Sequence, residues 1–304
     1  MTTPVITVQL CTYNRRALLG RVLGALFDQT IDPESYEIVL VDDGSNDGTY
    51  EHVISALRPP CAMHVVRQRN AGLAHGRNVG IARARGEIIM FMDDDVLAAR
   101  SLLEAHVRFH RTHPRSVCRG GVINVESFDR LPPPRYGMRN YSGAYFWTTN
   151  VSLPRDLLIA AGGFDERFRE YGWEDLELGF RLRRMGVRSL LASDALVYHY
   201  KPALGREQFT GMARQARAQA RTAVQFLDKH PHWRIALATG QVAPQLWWSR
   251  VTRALGWPKL LQRVAGADEA GFATAGRPSA LQRWAAGRLA RAAYFEELAK
   301  ARDA

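Results

Sequence analysis

The first hundred residues alternate short, apolar, β-branched runs with segments of helical period, and this alternation leaves few folds open. Runs at 5–10, 36–41, His64-Val65-Val66 and 87–92 read as strands, while 17–27, 49–57 and 75–84 carry the spacing of helices. Such a βαβαβαβ order implies an α/β fold, a mostly parallel sheet with helices on both faces. Ligands bind such sheets beyond the carboxyl ends of the strands. Polar clusters fall at those ends: Thr12-Tyr13-Asn14, Asp42-Asp43-Gly44-Ser45, Arg69-Asn70-Ala71-Gly72 and Asp93-Asp94-Asp95.

The aspartate triplet constrains the chemistry most. Three adjacent carboxylates at the end of a buried strand repel one another unless a counter-charge is present, and a hard divalent cation, Mn²⁺ or Mg²⁺, supplies it while bridging to a diphosphate. Taken singly, the other clusters are also explained by turn and helix-cap preferences. Arg77, near the start of a helix, opposes the helix dipole and points to a phosphate nearby. The turn after the first strand, Cys11-Thr12-Tyr13-Asn14-Arg15, lacks the Gly-x-Gly-x-x-Gly of dinucleotide-binding folds, and the chain has no phosphate-binding Gly-x-x-x-x-Gly-Lys loop. Diphosphate charge must then be met by metal and side chains.

Downstream, Glu174-Asp175 opens a segment at 175–185 with Leu178, Leu182 and Met185 on one face. Acids suit a helix N-terminus for electrostatic reasons alone, but transfer to a hydroxyl by in-line displacement also needs a carboxylate to accept the proton. His199 follows the apolar run Ala195-Leu196-Val197.

Thr12 to Arg15, Val41 to Ser45, Gly72 to Gly80 and Phe91 to Asp95 resemble the successive motifs of family 2 glycosyltransferases with the GT-A fold. Thr149-Asn150-Val151-Ser152, Gly162 to Glu166, Trp173 to Glu177 and Tyr198-His199-Tyr200 resemble its acceptor-side motifs, in order. The resemblance covers about residues 4–202. It implies a nucleotide-diphosphate sugar donor, a UDP-sugar by preference, a divalent metal and inversion at the anomeric carbon. By the same resemblance Asp43 binds the base and Thr12, Tyr13 and Asn14 pack on the nucleotide. Asp93 opens the Asp-x-Asp motif, Asp94 faces the ribose, and Asp95 and His199 bind the metal. Asp175 becomes the general base, with Glu174 beside it at the acceptor. Trp173 and Asn150 are expected to contact acceptor or sugar, and Arg77 joins the nucleotide-binding set. The acceptor is expected to be a glycan or lipid-linked hydroxyl, in cell-envelope polysaccharide synthesis. No Gln-x-x-Arg-Trp occurs among Gln215, Arg217, Gln219 and Arg221, which favours non-processive transfer.

The chain has 304 residues and a formal net charge of +11. Residues 205–304 hold 16 Lys/Arg against 7 Asp/Glu, so the basic character is concentrated there. We expect a donor-binding half at 1–110, an acceptor half at 111–204 and a basic helical region at 205–304, with helices near 207–229, 235–255 and 280–301. Residues 111–145, rich in Arg, Pro and Gly, suggest a long loop serving as a lid. Three scattered cysteines, no leader-like start and no run of roughly 20 apolar residues fit a cytoplasmic protein, with peripheral contact to an anionic membrane open through the basic region. Nucleic acid is disfavoured as a partner. A binding protein acting through the basic third, or a sugar-nucleotide pyrophosphorylase, is the alternative, but the latter needs a Gly-rich, basic loop after the first strand that is absent.

Overall fold

In a computed structural model, residues 3–137, 142–205, 207–268, 271–272 and 277–303 are described. The chain divides into two compact units, one of residues 1–169 and 174–202 and the other of residues 170–173 and 203–304.

The first unit runs β1 (Ile6–Thr12), α1 (Leu19–Phe27), β2 (Tyr36–Asp42), α2 (Thr49–His52), β3 (Ala62–Arg67), α3 (Leu73–Arg83), β4 (Ile88–Met92), β5 (Val96–Ala98), α4 (Leu102–Thr112), β6 (Ser116–Val125), β7 (Asn150–Pro154), α5 (Arg155–Ala160), α6 (Glu174–Arg184) and β8 (Arg188–Tyr200). The strands form one sheet in the order β3-β2-β1-β4-β7-β6-β8-β5. β1 to β4 are parallel, β7 runs against β4 and β6, and β6 pairs parallel with β8. This is a mixed, mostly parallel α/β sheet with helices on both faces.

The apolar runs are continuous because both faces of the sheet are buried. Along β4, Ile88, Met90 and Met92 join Leu19, Leu23 and Leu102 on one side. Ile89 and Phe91 join Ile81, Phe146, Leu178 and Leu182 on the other. The expected helix at 49–57 shortens to α2 and a single 3₁₀ turn at Ile54–Ala56. Residues 111–145, expected to be a long loop, instead finish α4 and then form the ten-residue strand β6, where Gly120 leaves room for a neighbouring amide. Residues 138–141, towards the end of the expected lid, lie outside the described residues.

The second unit contains α7 (Glu207–Lys229), α8 (Trp233–Ala238), α9 (Ala243–Ala254), α10 (Trp257–Ala265), a two-residue antiparallel pair β9 (Ala267–Asp268) and β10 (Gly271–Phe272), and α11 (Ala280–Asp303). Ala220 and Ala223 of α7 pack on Phe295 and Leu298 of α11. The single helix expected at 235–255 is two, α8 and α9, broken at Gly240, whose φ of 73° sits in the left-handed region, and restarted by Pro244 at the head of α9.

A polar seam crosses the buried side of α4. His106 donates from Nε2 to Asn150 Oδ1 at 2.9 Å, its Nδ1 accepts from Ser152 Oγ at 2.7 Å, and His110 Nε2 donates to the same hydroxyl at 2.8 Å. Burial keeps both imidazoles neutral, pushing His106 down to about 4 and His110 to about 3. An unfolded histidine titrates near 6.5, so between about pH 6.5 and 4 the unfolded chain binds protons that the folded chain refuses, and stability falls as the pH falls. Urea unfolding across this range should lose up to about 1.4 kcal/mol per pH unit for each histidine. His110→Gln should remove one histidine's share of that slope, and an unchanged slope would rule out this source of acid sensitivity.

Candidate functional site

The carboxyl ends of β1 to β4 build one rim. The loop after β1 locks onto the loop after β2: Asn14 N donates to Ser45 Oγ at 3.0 Å, Asn46 N donates to Asn14 Oδ1 at 2.9 Å, and Arg15 N donates to Thr49 Oγ1 at 3.1 Å. Asn14 adopts a left-handed φ of 54°, a conformation asparagine tolerates well. Thr12 is buried with its carbonyl accepting from Asp43 N, whereas Tyr13 is exposed and free to pack on a ligand.

Asp43 is spent on the next loop. Its Oδ1 accepts from Gln68 Nε2 at 2.7 Å and from Ala71 N at 2.9 Å, and its Oδ2 from Gly72 N at 3.0 Å. A carboxylate offers about four lone-pair sites, so one remains for a base. Gly44 permits this approach, since with φ +84° a Cβ there would meet Asn70 N at 2.8 Å.

The triplet is split three ways. Asp93 Oδ2 accepts from Thr149 Oγ1 at 2.7 Å and its Oδ1 lies 3.5 Å from Arg77. Asp94 Oδ1 accepts from Arg15 Nε at 3.1 Å, and the second arm of Arg15 reaches Asp95 Oδ2 at 3.4 Å. Burial raises the Asp94 carboxyl to about 6 against the pull of Arg15, and burial with the charge of Asp93 raises Asp95 above the usual range. Antiparallel pairing of β5 with β8 puts Val96 opposite His199 and brings His199 Nε2 to 3.5 Å from Asp95 Oδ1. Burial and the charge of Lys201 lower His199 to about 4, so at neutral pH it is uncharged and this approach is not an ion pair. Its Nδ1 is buried without a hydrogen-bond partner, and Trp147 packs edge-on to the ring. A neutral imidazole facing a carboxylate is a donor pair that fits Mn²⁺ better than the harder Mg²⁺. Among the described residues no third His, Cys, Asp or Glu joins them.

Arg77 departs most from the sequence reading. Instead of pointing to a phosphate, it is 4 % exposed and answered by protein: Nη1 donates to Glu174 Oε1 at 2.8 Å, Nη2 donates to Thr148 Oγ1 at 2.6 Å, and the guanidinium lies over Phe164. The other Glu174 oxygen is buried and unpartnered. Asp175 accepts from Leu176 N at 2.7 Å in the first turn of α6. Burial, then the charge of Glu174, raises the Asp175 carboxyl well above the ordinary range, and Arg77 pulls it back. Two residues expected to contact the acceptor have their polar groups engaged by the protein. Asn150 is 2 % exposed and donates to the carbonyls of Gly121 and Ala195 at 3.1 and 2.9 Å, so its amide is consumed inside the sheet. Trp173 belongs to the second unit, where its Nε1 donates to Gln219 O at 2.8 Å. Arg15, Thr148 and Thr149 were not assigned roles from sequence; Arg15 and Thr149 stand inside quoted motifs, and only the fold shows which acids they face.

The profile described as glycosyl transferase family 2 matches residues 7–170. A "Validoxylamine A glucosyltransferase" of Streptomyces hygroscopicus subsp. limoneus is 32% identical over 222 residues, covering 60% of this chain and 49% of its own. The chain thus spans about half the length of that relative. Among solved structures, S. aureus TarS 1-349 in complex with UDP-GlcNAc matches with a TM-score of 0.55 at 20% identity, covering 98% of this chain and 90% of that one. GalNAc-T7 with UDP, GalNAc and Mn2+ matches with a TM-score of 0.57 at 16% identity, covering 74% and 48%. The likeness bears out the GT-A type sheet.

Removing the Arg77 charge should leave the buried Glu174 without its partner, while the half-buried Asp93 keeps only the Thr149 hydroxyl. Arg77→Met is expected to cost about 3–5 kcal/mol in urea unfolding, with Arg77→Lys, which keeps charge but loses the two-armed geometry, in between. Equal stability of Arg77→Met and the parent would remove this ion-pair network as a structural determinant.

Proposed function

The chain belongs to glycosyl transferase family 2, and on that premise we propose that it moves a sugar from a UDP-sugar to an acceptor hydroxyl by in-line displacement with inversion. The reading rests above all on the half-buried carboxyl of Asp175, which stands beside the buried Glu174 at the head of α6 and is linked through Arg77 to the aspartate triplet. Asp175 takes the acceptor proton as the hydroxyl oxygen bonds to the anomeric carbon. The bond from that carbon to the diphosphate oxygen breaks, and the nucleotide leaves with the electron pair.

The other residues take positions around this step. Thr12, Tyr13, Asn14 and the remaining lone pair of Asp43 receive the nucleoside, with Asp93 and Asp94 towards the ribose and diphosphate. Asp95 and His199 hold a divalent metal, Mn²⁺ or Mg²⁺, which when bound offsets charge on the diphosphate. Arg77 acts as a positioning residue: it aims Glu174 and moderates the carboxyl of Asp175. Asn150, enclosed in the sheet with its amide bonded to Gly121 and Ala195, takes no sugar-facing role. The acceptor is a glycan or lipid-linked hydroxyl and the transfer non-processive. The curated relative and the ligand-bound neighbours lend support to the donor class by what their names state.

A panel of nucleotide sugars, titrated by calorimetry with and without Mn²⁺, should show a UDP-sugar binding and GDP-sugars failing; binding of none would sink the donor assignment. Asp175→Asn should lower transfer by about 10²–10⁴-fold while donor affinity stays within about twofold. The base works deprotonated, so activity should fall as the pH drops through its raised pKa. That puts the acid limb of kcat/KM above the ordinary carboxylate value near ~4, and a limb at or below that value would exclude Asp175 as the base.

A further inference from the structure

The second unit carries a surface that its own packing does not use. Five of the chain's seven tryptophans lie between residues 233 and 284, and Trp233, Trp247, Trp248, Trp257 and Trp284 are all exposed. Exposed leucines accompany them at Leu237, Leu255, Leu260 and Leu281. On α9 the arrangement is inverted relative to an ordinary amphipathic helix. None of its residues is buried; Leu246, Ser249 and Thr252 are half-covered, and Trp247, Trp248 and the following Leu255 point outward at helical spacing, 63, 58 and 69 % exposed. On α8, Trp233 and Leu237 share a face four residues apart, and on α11 Leu281 and Trp284 do so three apart.

The sequence of α8, α9 and α10 carries charge of one sign, with Glu296 of α11 the acid that faces Arg253. Between Asp228 and Asp268 the chain has no Asp or Glu but six cations, Lys229, Arg234, Arg250, Arg253, Lys259 and Arg263. Arg234 lies over the Trp233 ring and Arg288 over Trp284. Self-association through such a face would bring like charges together, which selects an anionic partner. Nucleic acid could meet the arginines and tryptophans by phosphate contact and stacking, but it offers nothing apolar in which to bury the four leucines. An anionic bilayer offers both, since tryptophan and arginine settle at the headgroup level while aliphatic side chains enter the acyl boundary. No helix among the described residues is long and apolar enough to cross a membrane, so the contact would lie in the plane of the interface.

We propose that α8, α9, α10 and the start of α11 form a peripheral docking surface for anionic lipid. The test is flotation of the full chain with vesicles of phosphatidylcholine containing phosphatidylglycerol, against vesicles of phosphatidylcholine alone. Binding is expected only to the anionic vesicles, weakening as salt is raised and accompanied by a blue shift of tryptophan emission. Trp247→Ser/Trp248→Ser/Leu255→Ser and, separately, Arg250→Glu/Lys259→Glu should each weaken binding by about tenfold or more. These side chains are exposed, and unchanged circular dichroism and UDP affinity certify the fold. Three results would overturn the proposal: no flotation with anionic vesicles, flotation undiminished in both variants, or retention on RNA homopolymer or concentration-dependent dimerisation in place of lipid binding.

Discussion

The rim depends on one buried cation. A guanidinium as enclosed as that of Arg77 is costly unless each arm has a partner, and here Glu174, Thr148 and Asp93 provide them. It can reach them only because α3 lies almost against β1. Gly76 and Gly80 allow this, since a Cβ on the first would meet Cys11 Sγ at 3.0 Å and one on the second would meet Gln9 Cγ at 2.5 Å. Two glycines on one helix face therefore decide how deep the helix sits, and that depth places Arg77 between the acids that end β4 and those that open α6. Because the pair Arg77–Glu174 spans 97 residues of sequence, it ties early and late parts of the first unit into one electrostatic body.

The same count of charges explains why the site needs more than its own side chains. Asp93, Asp94, Asp95, Glu174 and Asp175 gather against Arg15 and Arg77, with His199 neutral. The excess shows in the carboxyls: Asp94 is raised to about 6 and Asp175 is raised as well, burial being the larger cause for both, so each gives up its proton less readily than an ordinary aspartate. Such a centre is poised to accept a cation, and Asp95 with the neutral His199 is the pair whose chemistry suits one.

Much of the fold was legible because its cause is local. Both faces of the sheet are buried, so β1, β2 and β4 had to read as unbroken apolar runs, and the ends of those runs had to be where polar residues could collect. The pairing of Asp95 with His199 was accessible only through family resemblance, since 104 positions separate residues 95 and 199 and only the β5 and β8 register joins them. What escaped was non-local satisfaction of polar groups. Asn150 sits in a motif that suggests acceptor contact, yet its amide closes gaps between β6, β7 and β8 left by Gly120 and the bulge beside it. Arg77 suggested a phosphate because a basic residue early in a helix opposes the dipole, but two carboxylates distant in sequence outweigh that local effect. β6 is hidden in the Arg, Pro and Gly content of 111–145 as a whole, although Val117, Val122, Ile123 and Val125 are themselves strand formers.

Arginine serves the two units in opposite ways, and the surrounding dielectric decides which. In the first unit Arg77 is held in a low-dielectric setting where each hydrogen bond is directional and strong, so it fixes geometry. In the second, arginines stand in water beside exposed tryptophans with no acid between residues 228 and 268. There a single guanidinium contributes little alone and a field of them acts together on an extended anionic partner. A net charge of +11 would describe both equally well; burial separates a cation that organises a reaction centre from cations that attract a surface.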